Sequence, residues 1–392
     1  MIGSELPKGW DKVKLLDIAD LSTGKVDANH STEDGLYPFF TCASEPMKSP
    51  DYSFDDESVI VPGNGANVGC VLYYNGKFQA YQRTYVLSNI KIVPKYLYYH
   101  FLRYWKERTE NNQFGSATNY VKLINFANYI VDMPSLTEQK QIAEKLDKLF
   151  DQIETIKEAS NKIPELLKTF RQQVLTYAVT GKLTDSDYES WELKTLDEIA
   201  IPKAGYAFKA TDFIDNGIQV IRMGNLYDNK LSLDRNPVFV PKNYDTDIIE
   251  RSRVKRNDIL LTLTGTKYKR DYGYAIKIDT DEVLLLNQRI LSLTPLIDPD
   301  YLLLVLRSDE FRNQFFEFET GGVNQGNVGV KTVMTIKLHI PSPRIQEEIV
   351  RRTKILFNIL DNVERRYNIL CEKLDKLPQA LLCKAFKGEL AL

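Results

Sequence analysis

The chain is poor in histidine and cysteine and has almost no excess charge. Its three histidines, His30, His100 and His339, stand far apart among 392 residues, so no metal site is expected from them. Four cysteines (Cys42, Cys70, Cys371, Cys383) match neither a disulfide framework nor a zinc spacing and are expected to be buried structural thiols. Lys and Arg number 51 against 53 Asp and Glu. That balance excludes a uniformly basic coat, and any nucleic-acid contact must come from local clusters. No apolar run approaches the ~20 residues that span a bilayer. The start, "MIGSELPKGW", lacks the basic end and apolar core of a signal peptide, which points to the cytoplasm and to no membrane partner.

What the chain does contain is written twice. "LTEQKQIAEKLDKLFDQIETI" begins at Leu136, and a weaker copy, "PRIQEEIVRRTKILFNILDNV", begins at Pro343. In the first, apolar residues fall at Ile142, Leu146, Leu149, Ile153, Ile156, Ile163, Leu167, Phe170, Val174 and Tyr177, with Ser160 the one break. An offset of 207 carries this register onto Ile349, Thr353, Leu356, Leu360, Val363, Leu370, Leu374, Leu377 and Leu381, with Tyr367 opposite Ser160. A sustained four-three apolar spacing with charges between specifies a coiled coil. Pro164 and Pro378 are expected to interrupt the two helices. The repeat extends further. "WDKVKLLDIADLSTG" from Trp10 lines up with "WELKTLDEIAIPKAG" from Trp191, Gln82-Arg83 with Gln288-Arg289, and Pro94 and Tyr96 with Pro299 and Tyr301.

The fold class is therefore α+β: two mixed α/β units in tandem, separated by two long helices. The boundaries are 1–136 for the first unit, 137–184 for the central helix, 185–342 for the second unit and 343–392 for the C-terminal helix. Two helices flanking a compact domain pair most easily in opposite directions, as an antiparallel coiled coil with an internal pseudo-twofold. About 40 residues at ~1.5 Å each give a rod of roughly 60 Å, a spacer between two readers of a split target.

Several ordered motifs then bring in a family: "LPKGWDKVKLLDIA" at the start, "GYAFKATDF" from Gly205, "VIRMGNL" from Val220, "NDILLTLTGT" from Asn257, "NQRI" from Asn287, "MPSLTEQKQIAEKLD" and "LTYAVTGKL". Over essentially its full length the chain resembles the specificity (S) subunits of Type I restriction-modification systems. The resemblance implies two target recognition domains on double-stranded DNA and helices that dock two modification (methyltransferase) subunits, with restriction (motor-nuclease) subunits joining for cleavage. It also implies no cofactor on this chain, S-adenosylmethionine belonging to the modification subunits, which flip and methylate an adenine. The first unit departs from the "GxAFK" form, reading "STGKVDANH" from Ser22, and the second helix ends "FKGEL" where the first ends "VTGKL".

Direct readout needs paired donors and acceptors, and phosphate contact needs cations, hydroxyls and backbone amides. Three kinds of stretch qualify. Glycine-bearing turns contribute Asn64 and Asn67 in "PGNGANVG", and Thr264, Thr266, Lys267, Lys269 and Arg270 in "TLTGTKYKRDYG"; glycines there serve tight turns equally well. The repeated Gln-Arg pair contributes Arg83 and Arg289, whose recurrence suggests scaffold as much as readout. The polar loops before each long helix contribute Asn112, Gln113, Thr118, Asn119 and Lys122, then Asn324, Gln325, Asn327 and Lys331. The aromatic stripe "YLYYHFLRYW" from Tyr96 has helical spacing and is expected to be packed core.

Phe150, Leu175, Phe357 and Leu382 lie off the coil seam in corresponding pairs. Either their own α/β units cover them or they dock partner subunits. Catalysis is not expected, since no glycine-rich cofactor loop, Asn/Asp-Pro-Pro-aromatic motif or nucleophile triad stands out. The alternative to DNA recognition is a coiled-coil scaffold without sequence specificity.

Overall fold

The computed structural model describes residues 6–110, 119–322 and 324–390. Five helices frame it: α1 (Pro94–Glu110), α2 (Leu136–Ser160), α3 (Ile163–Val179), α4 (Pro299–Arg307) and α5 (Pro343–Ala385). Ser135 starts α2 by accepting a hydrogen bond from the Glu138 amide at its hydroxyl, which satisfies one of the amides a helix start leaves open. The two prolines behave differently. Pro164 falls in the first turn of α3, after a break at Asn161–Lys162, where no helical N–H partner is lost. Pro378 lies inside α5, which continues through it; buried Leu374 and Leu382 anchor the helix on either side. Only the first proline therefore interrupts its helix.

The chain divides into two compact units, Met1–Asn161 with Tyr367–Leu392, and Lys162–Arg366. Each takes one α/β portion together with stretches of two long helices; the division falls at the break between α2 and α3 and inside α5.

In the first unit a six-stranded sheet runs in the order Asp20–Thr23, Thr84–Ser88, Phe54–Pro62, Leu72–Ala80, Tyr37–Phe40, Met47–Ser49. Neighbours are antiparallel except Tyr37–Phe40 against Leu72–Ala80. The central strand carries Val59, Ile60 and Val61, all fully buried, β-branched residues suited to a sheet covered on both faces. The aromatic stripe of α1 packs inward: Tyr96, Leu97, Phe101 and Trp105 share a core with Trp10, Leu146, Leu382 and Phe386. Among them Phe386 meets Tyr96 at 5.5 Å between ring centroids.

The second unit repeats the plan. An antiparallel sheet orders Ala200–Ala204, Ile290–Pro295, Ile259–Thr262, Ala275–Lys277, and a second orders Phe239–Val240, Ile218–Ile221, Leu284–Leu286, Arg253–Val254. Ile218–Ile221 runs parallel to Leu284–Leu286, as Tyr37–Phe40 does to Leu72–Ala80. The long strand Leu72–Ala80 is here replaced by two short ones. In each unit the strand after the tryptophan pairs with the strand before the long helix: Asp11–Lys14 with Ile130–Met133, and Glu192–Thr195 with Lys337–Ile340.

The helix starts are tied to the α/β units by one buried side chain in each copy. Gln139 donates to the Pro134 carbonyl (2.9 Å) and accepts from the Val93 amide (3.1 Å). Gln346 does the same with Pro341 (2.8 Å) and Asp298 (3.2 Å). The amide spends both its ends on backbone groups that would otherwise lack partners in the interior.

Two expectations need adjusting. None of the four cysteines is fully buried, and Cys70 is exposed, because each sits in a turn or on a helix flank rather than on a core-facing strand position. The apolar seam is also unevenly covered. Ile142, Leu146, Ile153, Leu167, Val174, Ile349, Leu360 and Leu374 are buried, whereas Ile156, Phe170, Tyr177, Val363, Leu370 and Leu377 are exposed. No helix among the described residues is long and apolar enough to cross a membrane.

Candidate nucleic-acid interface

The three stretches singled out in each half converge through matching backbone hydrogen bonds. In the first unit the Gly63 amide donates to the Arg83 carbonyl (2.9 Å), while the Gly63 carbonyl accepts from Val121 (2.9 Å). Asn64 bridges Tyr120, and the Gly65 amide reaches the Asn119 carbonyl (2.9 Å). In the second unit the Leu263 amide donates to the Arg289 carbonyl (3.1 Å) and the Leu263 carbonyl accepts from Val328 (3.0 Å). Thr264 there pairs with Asn327. A strand end, the Gln-Arg turn and the polar loop before the long helix are thus held at one place in each unit.

The Gln-Arg turn is pressed against a glycine. A Cβ on Gly24 would lie 1.8 Å from the Ala80 carbonyl oxygen, and one on Gly205 2.0 Å from that of Asn287. Only glycine lets the backbones approach this closely. Tyr206 then exchanges backbone bonds with the turn, donating to Leu286 (2.8 Å) and accepting from Gln288 (2.9 Å).

A cavity opens beside the Gln-Arg turn in each unit. The first, about 370 Å³, is lined by Thr23, Gly63, Asn64, Gln82, Arg83, Tyr85, Tyr120 and Val121. The second, about 390 Å³, is lined by Arg222, Met223, Gly224, Asn225, Arg235, Asn236, Asn287, Gln288 and Arg289. Both are open recesses with an exposed arginine on the Gln-Arg turn. The arginine backbones serve the frame, and their side chains make no intramolecular hydrogen bond or ion pair among the described residues. Arg289 holds φ at +75°, a left-handed conformation that costs a non-glycine residue of order 1–3 kcal/mol. In the second cavity Arg222 donates to the Asn236 carbonyl (2.7 Å), and its Nε is shielded and lacks a partner among the described residues. Asn225 is spent on structure, its amide donating to Ser232 and Arg235 carbonyls.

The remaining candidates sort by how engaged they are. Asn67 donates to the Cys42 carbonyl (2.7 Å), fixing its own turn. Lys122 caps the short helix Leu123–Ala127 through a bond from its amide to Asn125 (2.8 Å), with its ammonium 5.6 Å from the Tyr120 ring centroid. Thr264 is buried, and the Thr266 amide donates to Asp271 (2.7 Å). Lys267 donates to the Gly321 carbonyl (3.0 Å) and Arg270 to Asn313 (3.0 Å). Beneath this basic loop the half-buried Arg312 props it, donating to the carbonyls of Gly273 (2.7 Å) and Arg270 (3.1 Å); burial lowers its pKa. Lys269, Asn324 and Gln325 are exposed, as is Lys331, which lies inside the short helix Val330–Val333 rather than in the loop. Asn112, Gln113 and Thr118 lie outside the described residues.

Sequence reasoning missed Gln82, Tyr85, Tyr120, Arg222, Arg235 and Asn236. Gln82 and Arg222 were within reach, the first as half of the repeated pair and the second inside "VIRMGNL". Arg235 carried no local signal. Of the four off-seam residues, Leu175 and Leu382 are buried in the cores of their own units, with Phe357 and Phe150 packed against those cores. Phe150 meets Tyr99 edge-on at 5.4 Å. Their own units cover Leu175 and Leu382 and half-cover Phe150 and Phe357.

Comparison with known proteins gives the family. Residues 7–165 and 188–370 match the family described as Type I restriction modification DNA specificity domain. The EcoDI specificity subunit of Escherichia coli is 31% identical, the match covering 100% of this chain and 90% of the relative. The MjaVIII specificity subunit of Methanocaldococcus jannaschii is 24% identical, covering 97% of this chain and 94% of the relative. In structure, the HsdS subunit from Thermoanaerobacter tengcongensis shares the fold at a TM-score of 0.67 and 15% identity, over 99% of each chain. A chain from a solved Type I restriction-modification assembly shares it at 0.73 and 15%, over 99% of this chain and 100% of that one. A full-length match of both tandem halves leaves one assignment: the chain belongs to the specificity subunits of Type I restriction-modification systems, the non-catalytic subunits that supply DNA recognition.

Proposed function

We propose that each unit reads one half of a bipartite double-stranded target through its cavity, with Arg83 and Arg289 at the two centres. The observation that carries this is the matched frame: the same two backbone bonds, at Gly63 and at Leu263, gather a Gln-Arg turn and a polar loop in each unit, and a recess opens beside the turn. Arg83 and Arg289 sit in the recesses, while the Lys267–Arg270 loop and Lys122 serve the phosphates. Methylation is delegated to two modification subunits carrying S-adenosylmethionine, and cleavage to restriction subunits, in the cytoplasm.

The long helices pair in opposite directions as a coiled coil, relating the halves by a pseudo-twofold and setting the spacer between half-sites. Support comes from contacts inside each unit. Lys157 meets Asp375 (3.7 Å) in the first; Arg171 meets Asp361 (2.6 Å) and Glu364 (2.9 Å) in the second. Numbers rise along one helix as they fall along the other. Modification subunits dock on the uncovered apolar residues, Leu166, Phe170, Ile355 and Ile359 in one unit and Ile156 and Ile369 in the other.

Duplex binding by the full chain at several salt concentrations tests the reading. A steep fall of log K with log salt, and an enriched bipartite consensus from a randomised duplex pool, are expected. A flat salt response with no consensus would return the chain to a scaffold role.

A further inference from the structure

The two cavities share the Gln-Arg turn yet differ in their other walls and in their chemistry. The first has a single guanidinium, Arg83, among Asn64, Gln82, Tyr85 and Tyr120. The second gathers three, from Arg222, Arg235 and Arg289. Arg222 follows the strand Ile218–Ile221; the residue following the corresponding strand Tyr37–Phe40 is the buried Thr41. The extra cations therefore belong to the second recess and not to the shared frame.

We propose that Arg289, seconded by Arg222, reads a guanine in the half-site of the second unit; this rests on the DNA-recognition reading above. Guanine presents two acceptors, O6 and N7, side by side in the major groove, and an arginine fork meets both. Arg289 has that fork unspent and is presented by a turn fixed through backbone bonds at Leu263 and Tyr206. Its left-handed φ of +75° favours glycine, so the side chain is retained at a conformational cost. Arg222 is oriented by Asn236, and its shielded Nε–H still wants an acceptor. Phosphate contact alone does not require cations gathered in a recess, one of them held by a carbonyl. The exposed Lys269 on the neighbouring loop suits that task.

The test is selection of duplexes from a randomised pool by the full chain and by its Arg289→Gly, Arg289→Lys and Arg83→Ala variants, followed by titration of the winners. Glycine suits φ +75°, so Arg289→Gly keeps the fold, which its thermal midpoint checks. The expected result is loss of preference at one guanine, roughly ten- to hundredfold, in one half-site only. Arg289→Lys restores little of it, and Arg83→Ala alters the opposite half-site. Uniform weakening across sequences, with a salt slope smaller by about 1 and restored by Arg289→Lys, would make Arg289 a phosphate contact and overturn the proposal. A wild-type consensus lacking guanine overturns it too. If wild type selects no consensus at all, the DNA-recognition reading itself has failed, and the variants are not needed to see it.

Discussion

Alanine at Gly205 tests the frame and the site together. The added Cβ would sit 2.0 Å from the Asn287 oxygen and 2.8 Å from that of Leu286, where ordinary contact needs about 3.4 Å or more. Both obstacles are backbone, so the Gln-Arg turn must retreat by more than an ångström. Three bonds then weaken or break: Gly205 to Ile290 (3.3 Å), Tyr206 to Leu286 (2.8 Å) and Gln288 to Tyr206 (2.9 Å). At about 1 kcal/mol net for each bond, with about 1–3 kcal/mol for overpacking, Gly205→Ala should cost roughly 4–6 kcal/mol. Gly24→Ala repeats the experiment in the other unit, with its Cβ 1.8 Å from the Ala80 oxygen. Gly224→Ala is the control, since it lines the same cavity as Arg289 but a Cβ there meets nothing within 4 Å. Urea denaturation of the three variants measures the stability cost, and duplex selection follows recognition. Gly205→Ala should blur one half-site and Gly24→Ala the other, while Gly224→Ala stays within about 0.5 kcal/mol of wild type. A Gly205→Ala chain as stable as the control would mean that the turn does not lie against the strand as described.

Three further outcomes are open to measurement. Gln139→Ala and Gln346→Ala each strand a buried carbonyl and a buried amide, and each should cost about 2–4 kcal/mol in denaturant; a loss under 0.5 kcal/mol would dismiss the clamp. His100 is fully buried: its Nε2 accepts from the Asp132 amide (3.2 Å) and its Nδ1 lies 3.0 Å from the Tyr129 hydroxyl. Burial, opposed by Asp132, brings its pKa down to about 4 from 6.5. The unfolded chain takes up the proton below pH 6.5 and the folded one only near 4, so stability is full above 6.5 and falls with pH, by about 2 kcal/mol between 6.5 and 5. Denaturation of wild type and His100→Gln across that window should show the slope only in wild type. Ile359, 53% exposed on α5, can be changed to Glu with a stability effect within about 0.5 kcal/mol, and co-purification with a modification subunit should then fail; intact binding would move the docking face elsewhere.

The helices were legible because their signal is periodic and repeated. Ile142 and Ile349 carry the same register, and both are buried. The seam was over-read, since a seven-residue spacing tells which positions share a face and not which of them another element covers. Leu146 is buried and Ile156 exposed on the same stripe, the first facing an α/β core and the second lacking one. The four off-seam residues show the opposite, each packing on its own unit. Phe150 looked surplus because Tyr99, its cover, comes from a helix over forty residues away in sequence. The Gln139 and Gln346 clamps were in plain view at corresponding positions, but a polar residue inside a charged helix gives no sequence sign of burial.

The candidate site divides along a similar line. Stretches that repeat, such as the Gln-Arg turn, were found because repetition marks a frame; residues that differ between copies had no such mark. Yet the frame depends on backbone groups and a glycine, so it tolerates different side chains: Gly63 or Leu263, Asn64 or Thr264, Tyr120 or Asn327 hold equivalent places in the same bonding pattern. A scaffold fixed by main-chain bonds leaves the lining free to change without unfolding the unit. That is the arrangement a DNA reader needs when two copies of one fold address two different half-sites. It also accounts for the location of the missed residues. Arg222 and Arg235 lie where the second copy departs from the first.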